Sequence, residues 1–200
     1  MEQENIISGR TEEEVWQHIN AQFLTNPDPL EYRAVIVQEE RKIVLEIDID
    51  LGGGFESGYE TTTLTAELHT TPAFQFAIHD QGFTDEIGKF FGMEDVEIGF
   101  TEFDKKLIVK TNNKLRVREI FSEESVRKVF ESLNDFTFGI TYNDNGGSAR
   151  NAPLLEFRIE TGITNTKQLR EIYHAFISIL IMLDNKASIQ NTSLQELNKQ

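Results

Sequence analysis

The chain has 200 residues, with 19 Lys and Arg against 34 Asp and Glu, for a formal net charge of −15. At this length roughly 70% of the unfolded surface can be buried on folding, which suffices for one packed domain. The charge disfavours nucleic acid and anionic membranes, since polyanions are repelled over a Debye length of roughly 8 Å, and the absence of cysteine excludes disulfides, thiolate chemistry and cysteine-held zinc.

Met1 to Arg10 is polar, without the apolar core of a secretory signal, and reads as a flexible terminus. Thr11-Glu-Glu-Glu14 is a capping box opening a helix with Val15, Trp16, Ile19 and Phe23 on its apolar side, ended by Asn26-Pro-Asp-Pro29. The period then changes to two. Ile43, Leu45, Ile47, Ile49 and Leu51 alternate with Val44, Glu46, Asp48 and Asp50, which predicts a strand with an apolar face and a carboxylate ladder. A second strand follows, with Leu64, Ala66 and Leu68 opposite Thr61, Thr63, Thr65 and Glu67, and a third carries Phe74, Phe76 and Ile78. Short connections predict antiparallel pairing between them.

A short helix from Thr84 to Phe91, closed by Gly92, comes next. A strand is expected near Lys105 to Thr111, then a helix opening at Asn112 or Asn113, and another capped by Ser122 with Val126, Val129, Phe130 and Leu133 on one face. Phe136, Phe138 and Ile140 lead into Asn143-Asp-Asn-Gly-Gly-Ser148, and Leu155, Phe157 and Ile159 lead out, as a long-looped hairpin. Leu169, Ile172, Tyr173, Phe176, Leu180 and Leu183 describe a long C-terminal helix with a wide apolar face, and residues 185–200 read as a polar, flexible tail. The longest apolar run, Ala175 to Leu183, is far below the ~20 residues of a membrane span. The expected fold is thus α+β, one domain over residues 11–184, with a mainly antiparallel sheet and flanking helices; a division near Gly82 to Gly92 is the alternative.

The segment from Lys105 to Arg118 reverses the sign of the chain: Lys105, Lys106, Lys110, Lys114, Arg116 and Arg118 are six cations with no acid among them. They are candidate ligands for an anion, helped by the helix opening near Asn113; pairing with Glu46, Asp48 and Asp50 across a sheet is the competing reading. The segment has no interleaved aromatics to stack bases. Glu46, Asp48 and Asp50 are candidate metal ligands, but a straight strand spaces them too widely to converge on one cation. Glu102 and Asp104 form a carboxylate pair if they lie in a strand, and His18, His69, His79 and His174 are scattered without metal-ligand spacing and read as lone surface or half-buried residues.

Phe55-Glu-Ser-Gly-Tyr59, Lys89-Phe-Phe-Gly92 and the run from Glu97-Ile-Gly99 through Glu102-Phe-Asp104-Lys-Lys106 to Arg116 and Arg118 carry a resemblance. Over Phe55 to Leu133 the chain resembles a family of uncharacterised bacterial proteins whose members often carry nearby transmembrane segments. The resemblance implies no reaction, cofactor or catalytic residue, and this chain departs from it in lacking a spanning segment. With no convergent catalytic set, the expectation is a non-enzymatic, cytoplasmic protein-binding or scaffold domain without a cofactor, for which a cationic protein partner suits the charge. The alternatives are an anion or nucleotide-phosphate binder using residues 105–118, and a divalent-metal hydrolase using the carboxylates.

Overall fold

Ile43, Leu45 and Ile47 are buried as their alternation requires, and they sit in a nine-stranded sheet that organises the whole molecule. The computed structural model describes residues 4–53, 57–68, 73–80, 93–142 and 152–197, with side chains described to Asp184. In chain order the elements are β1 (Ile6–Gly9), α1 (Glu12–Thr25), β2 (Glu31–Gln38), β3 (Arg41–Asp50), β4 (Tyr59–Glu67), β5 (Phe76–Asp80), β6 (Glu94–Asp95), α2 (Thr101–Lys106), β7 (Leu107–Thr111), α3 (Lys114–Ile120), α4 (Glu124–Ser132), β8 (Phe136–Tyr142), β9 (Pro153–Ile159) and α5 (Thr166–Leu197). The sheet order is β1-β2-β3-β4-β9-β8-β5-β7-β6. The fold is α+β, and its sheet is antiparallel except where β1 runs parallel to β2 across the α1 connection.

The register sorts the side chains into two faces. Ala34, Leu45, Leu64, Phe157, Phe138, Ile78 and Val109 are successive partners across seven strands, and all are buried. On the opposite face the neighbouring row reads Arg33, Glu46, Thr63, Arg158, Thr137, His79 and Ile108. All five described helices send apolar side chains to the first face. Trp16 of α1 meets Tyr173 of α5 edge to face, Phe176 of α5 meets Phe138, and Phe130 of α4 stacks on Phe138 at 4.9 Å. Phe121, which ends α3, touches Phe76, Phe103, Phe130 and Phe138, joining the short helices to the sheet.

Local signals hold where they are short-range. The Thr11 hydroxyl accepts from Glu14 N, and the Glu14 carboxylate reaches back to Arg10 N. Asn113 caps α3 by accepting from Arg116 N, and Val126, Phe130 and Leu133 are buried together.

Several expectations need correction. Residues 1–10 are not wholly a loose terminus, because Ile6–Gly9 pairs with β2 and buries Ile7. β2 shows no period of two, because apolar residues stand on both its faces, Ala34 and Ile36 on one and Val35 on the other. The stretch expected as a strand from Lys105 begins as helix α2, and β7 starts only at Leu107. Ser122 does not cap α4; Glu123 holds that position, with no side-chain cap bond. β4 and β5 are not neighbours, since β9 and β8 lie between them. α5 continues to Leu197, where a flexible tail was expected.

Strands from both sides of the alternative division near Gly82 to Gly92 bond into the same sheet. The helix expected over Thr84 to Phe91, the Asn143 to Ser148 loop and His69 lie outside the described residues. Among the described residues no helix is long and apolar enough to cross a membrane.

Candidate functional site

The six cations of residues 105–118 do not converge. Lys105 pairs with Glu102 one turn earlier on α2 at 2.9 Å. Lys106 Nζ donates to the Glu131 carbonyl at 2.6 Å, holding the last turn of α4, where a cation is favoured by the helix dipole. Lys110 pairs with Asp95 across β7 and β6 at 2.6 Å. The Arg116 guanidinium lies over Phe74, Arg118 donates to the Ile98 carbonyl, and Lys114 is exposed. β7 is five strands from β3, about 24 Å at ordinary strand spacing, so these cations do not pair with Glu46, Asp48 or Asp50 either.

The Glu97 to Arg118 motif is instead a loop clamp. The Asp104 carboxylate accepts from Ile98 N at 2.8 Å and Gly99 N at 2.7 Å, one oxygen each. Ile98 and Phe103 are buried, and Arg118 closes the loop from the other side by donating to Ile98 O at 2.6 Å. The guanidiniums of Arg118 and Arg127 both lie over the Phe100 ring, 4.9 and 3.8 Å from its centre. Arg127 in turn donates to the carbonyls of Phe121 and Ser122 at the end of α3. Glu102 and Asp104 are therefore not a carboxylate pair on a strand; on α2 they serve different partners.

Gly99 has φ +88°, a left-handed conformation that L-residues avoid, and a Cβ there would meet the Arg118 guanidinium. Gly99→Ala is expected to destabilise the protein by about 1–3 kcal/mol in urea unfolding. Stability unchanged within about 0.5 kcal/mol would remove the clamp from the fold's essential contacts.

The carboxylate ladder of β3 is likewise divided. Glu46 pairs with Arg33 at 2.8 Å, Asp48 accepts from the Tyr59 hydroxyl at 2.8 Å, and Asp50 accepts from Gly52 N at 2.8 Å. Among the described residues no group of three or more His, Asp or Glu is placed to hold a metal ion.

His79 is 2% exposed, against the expectation of a surface or half-buried residue. Its Nδ1 bonds to the Asp80 carbonyl, and its Nε2 has no partner among the described residues. His174 sits with Arg170 against Glu12 and Glu13, tying α5 to α1. A trough of about 460 Å³ near the β2–β3 turn has mixed charges, and the Arg41–Asp184 ion pair closes one side of it.

The more coherent surface lies at the end of the sheet where β2 begins, β3 ends and β4 begins. Glu31 stands beside Asp48, and Asp50 beside Tyr59, in the strand register. Asp28 and Glu60 join them through the α5 approach loop: Thr164 donates to Asp28 at 3.2 Å and Gly162 N to Glu60 at 3.1 Å. Among the described residues none of these five carboxylates forms an ion pair, unlike Glu46, Asp95, Glu102 and Glu160, each of which does.

The Tyr59 phenol reports the resulting field. Its pKa is raised, first by the hydrogen bond to Asp48, then by the charge of Asp48, by desolvation, and by the charges of Asp50 and Glu31. Beside the acids stand large apolar groups in water: Leu30 is 52% exposed, Leu51 73% and Tyr59 51%. Leu51 was expected on the buried face, and it runs past the edge of the core. Sequence reading missed this assembly apart from Asp48 and Asp50. Its one local signal was the acid and leucine following the break, Asp28-Pro-Leu-Glu31.

The class defined by the fold is a helix-backed, nine-stranded α+β sheet with an acidic, partly apolar end. No known family model matches the chain, no curated protein matches it, and no solved structure matches it.

Proposed function

We propose that this chain is a non-catalytic protein-binding domain that holds a cationic partner against the acidic end of its sheet. The observation that carries the reading is the coincidence of Glu31, Asp48 and Asp50, without ion pairs among the described residues, with exposed Leu30, Leu51 and Tyr59. Charge at such a surface steers encounter and selects partners by sign, while exposed apolar groups supply the area that is dehydrated on contact. An anion or nucleotide-phosphate site on residues 105–118 has less support, because Lys106, Lys110 and Arg118 already hold partners within the fold. A hydrolase reading has less support, because among the described residues no three carboxylates or histidines converge. A cytoplasmic location and kinship with the uncharacterised bacterial family belong to the same proposal.

The test is a titration of the isotope-labelled protein with octalysine at low and at physiological salt, followed by backbone amide NMR. Shifts should concentrate at residues 28–31, 48–52 and 59–60 and fade as salt rises. Glu31→Gln, Asp48→Asn and Asp50→Asn together should weaken binding about tenfold or more. Shifts scattered over the whole acidic surface, or unaltered affinity in the triple variant with its melting point retained, would sink the proposal.

A further inference from the structure

The acidic end adjoins a pocket. Between the end of α1 and the loop entering α5 lies a cavity of about 290 Å³ lined by Asn20, Phe23, Leu24, Pro27, Thr164 and Thr166. Its apolar wall has no cover among the described residues. Leu24 is 86% exposed on the last turn of α1, while its neighbour Phe23 is buried and fixed edge to face against Tyr32 at 4.9 Å. A leucine held that far into water on a helix whose other large apolar residues, Val15, Trp16, Ile19 and Phe23, are buried adds nothing to the core, so its apolar surface is available to a visitor.

The charge around the pocket selects that visitor. Asp28 accepts from Thr164, a pocket-lining residue, and Glu31 follows two residues after Pro29. The last turn of α1 has no basic residue, so its C-terminal carbonyls add their partial negative charge to the same side. The adjacent cation, Lys167, reaches toward Glu171 at 4.0 Å. A second copy of a chain with net charge −15 is repelled from such a site.

We infer that the Phe23–Leu24–Pro27 pocket is an anchor socket that takes one apolar side chain, leucine or phenylalanine in size, from a basic segment of the partner protein. This rests on the proposed binding function and specifies it: the socket supplies dehydrated contact, and Asp28, Glu31, Asp48 and Asp50 hold the lysines or arginines that flank the anchor. The division of labour follows from the physics. Exposed charges give orientation and salt-dependent encounter but little affinity each, whereas a buried methylene gains from leaving water whatever the salt.

The experiment compares two peptides, Lys-Lys-Leu-Lys-Lys and Lys-Lys-Ala-Lys-Lys, titrated into the full chain at low salt, with wild type, Leu24→Ser and Asn20→Trp. Both substituted positions are exposed, so the variants should fold, and thermal melts check this. The leucine peptide is expected to bind about tenfold tighter than the alanine peptide, from partial burial of its extra methylenes. Leu24→Ser, which strips the wall, and Asn20→Trp, which fills the space, should both erase that difference. Equal, salt-sensitive binding of both peptides to wild type would overturn the socket while leaving the acidic-end reading in place. A leucine preference that survives both substitutions would place the anchor elsewhere and also overturn the socket. Failure of both peptides at low salt would overturn the socket together with the reading on which it rests.

Discussion

Phe121→Ala is expected to lower stability by about 3–5 kcal/mol, the range for removing a fully buried aromatic ring. That is a large share of the roughly 5–15 kcal/mol that holds a domain folded. Phe121 is fully buried where α3 ends, with ring centres 5.2 Å from Phe103 of α2, 5.7 Å from Phe130 of α4, and 6.0 and 6.4 Å from Phe76 and Phe138 of the sheet. One ring therefore ties three short helices to two strands. α2, α3 and α4 have 6, 7 and 9 residues, lengths at which an isolated helix is not stable, so their order depends on this shared packing. Urea unfolding should show the full loss for Phe121→Ala and a smaller one for Phe121→Leu. Leu115→Ala, removing a leucine that is 80% exposed on the same helix, should stay within about 0.5 kcal/mol. A loss below about 1 kcal/mol for Phe121→Ala would mean that the short helices are held by their ion pairs and caps instead.

Alkaline pH should unfold the protein through two phenols, the half-buried Tyr32 and the buried Tyr173. Burial pushes the Tyr32 pKa up to about 12, offset only in part by the Asn5 side chain. Burial, and then the charge of Glu12, raises that of Tyr173 further. Both hydroxyls are already engaged, Tyr32 with Gln22 Oε1 and Tyr173 with Gln38 Oε1, each at 2.8 Å.

The folded-state values lie above the unfolded value of about 10, so folded protein keeps these protons longer than the unfolded chain does. Their contribution is complete below pH 10 and is lost as pH rises from there, for Tyr32 until about pH 12. Each phenol adds a slope of about 1.4 kcal/mol per pH unit in that window, so Tyr32 alone accounts for roughly 2–3 kcal/mol. Chemical unfolding at fixed temperature between pH 9 and 12 reads the slope directly. Tyr32→Phe and Tyr173→Phe should each flatten it, whatever they do to stability at neutral pH. A slope unchanged in both variants would exclude Tyr32 and Tyr173 as the cause of the alkaline loss.

Sequence reading failed in particular places for particular reasons. Thr101 to Lys106 is too short for its period to separate helix from strand. What makes it a helix is non-local: Phe103 packs on Phe121, and Asp104 turns back onto the amides of Ile98 and Gly99. The same clamp explains why the charge-reversed segment was a misleading guide. Its cations looked like a patch along the chain, but α2, β7 and α3 aim them in separate directions, toward a helix end, a neighbouring strand and two phenylalanine rings. At the candidate site, Leu24, Asp28, Glu31, Asp48, Tyr59 and Thr164 come from six separate elements or loops, and no spacing in the chain announces them.

By itself the sequence determined what acts over a few residues: the Thr11 cap and the amphipathic face of α1, the alternation of β3 and β4, the Asn113 cap, and the buried stripe of α4. These depend on hydrogen bonds within one turn and on a period of two or 3.6, both written directly in residue order. Only the tertiary structure decided that β9 and β8 separate β4 from β5, that β1 closes one edge, and that an acidic end forms beside an apolar pocket. Strand order follows from which apolar faces and unpaired backbone groups can satisfy one another across the whole molecule, and that is a global condition.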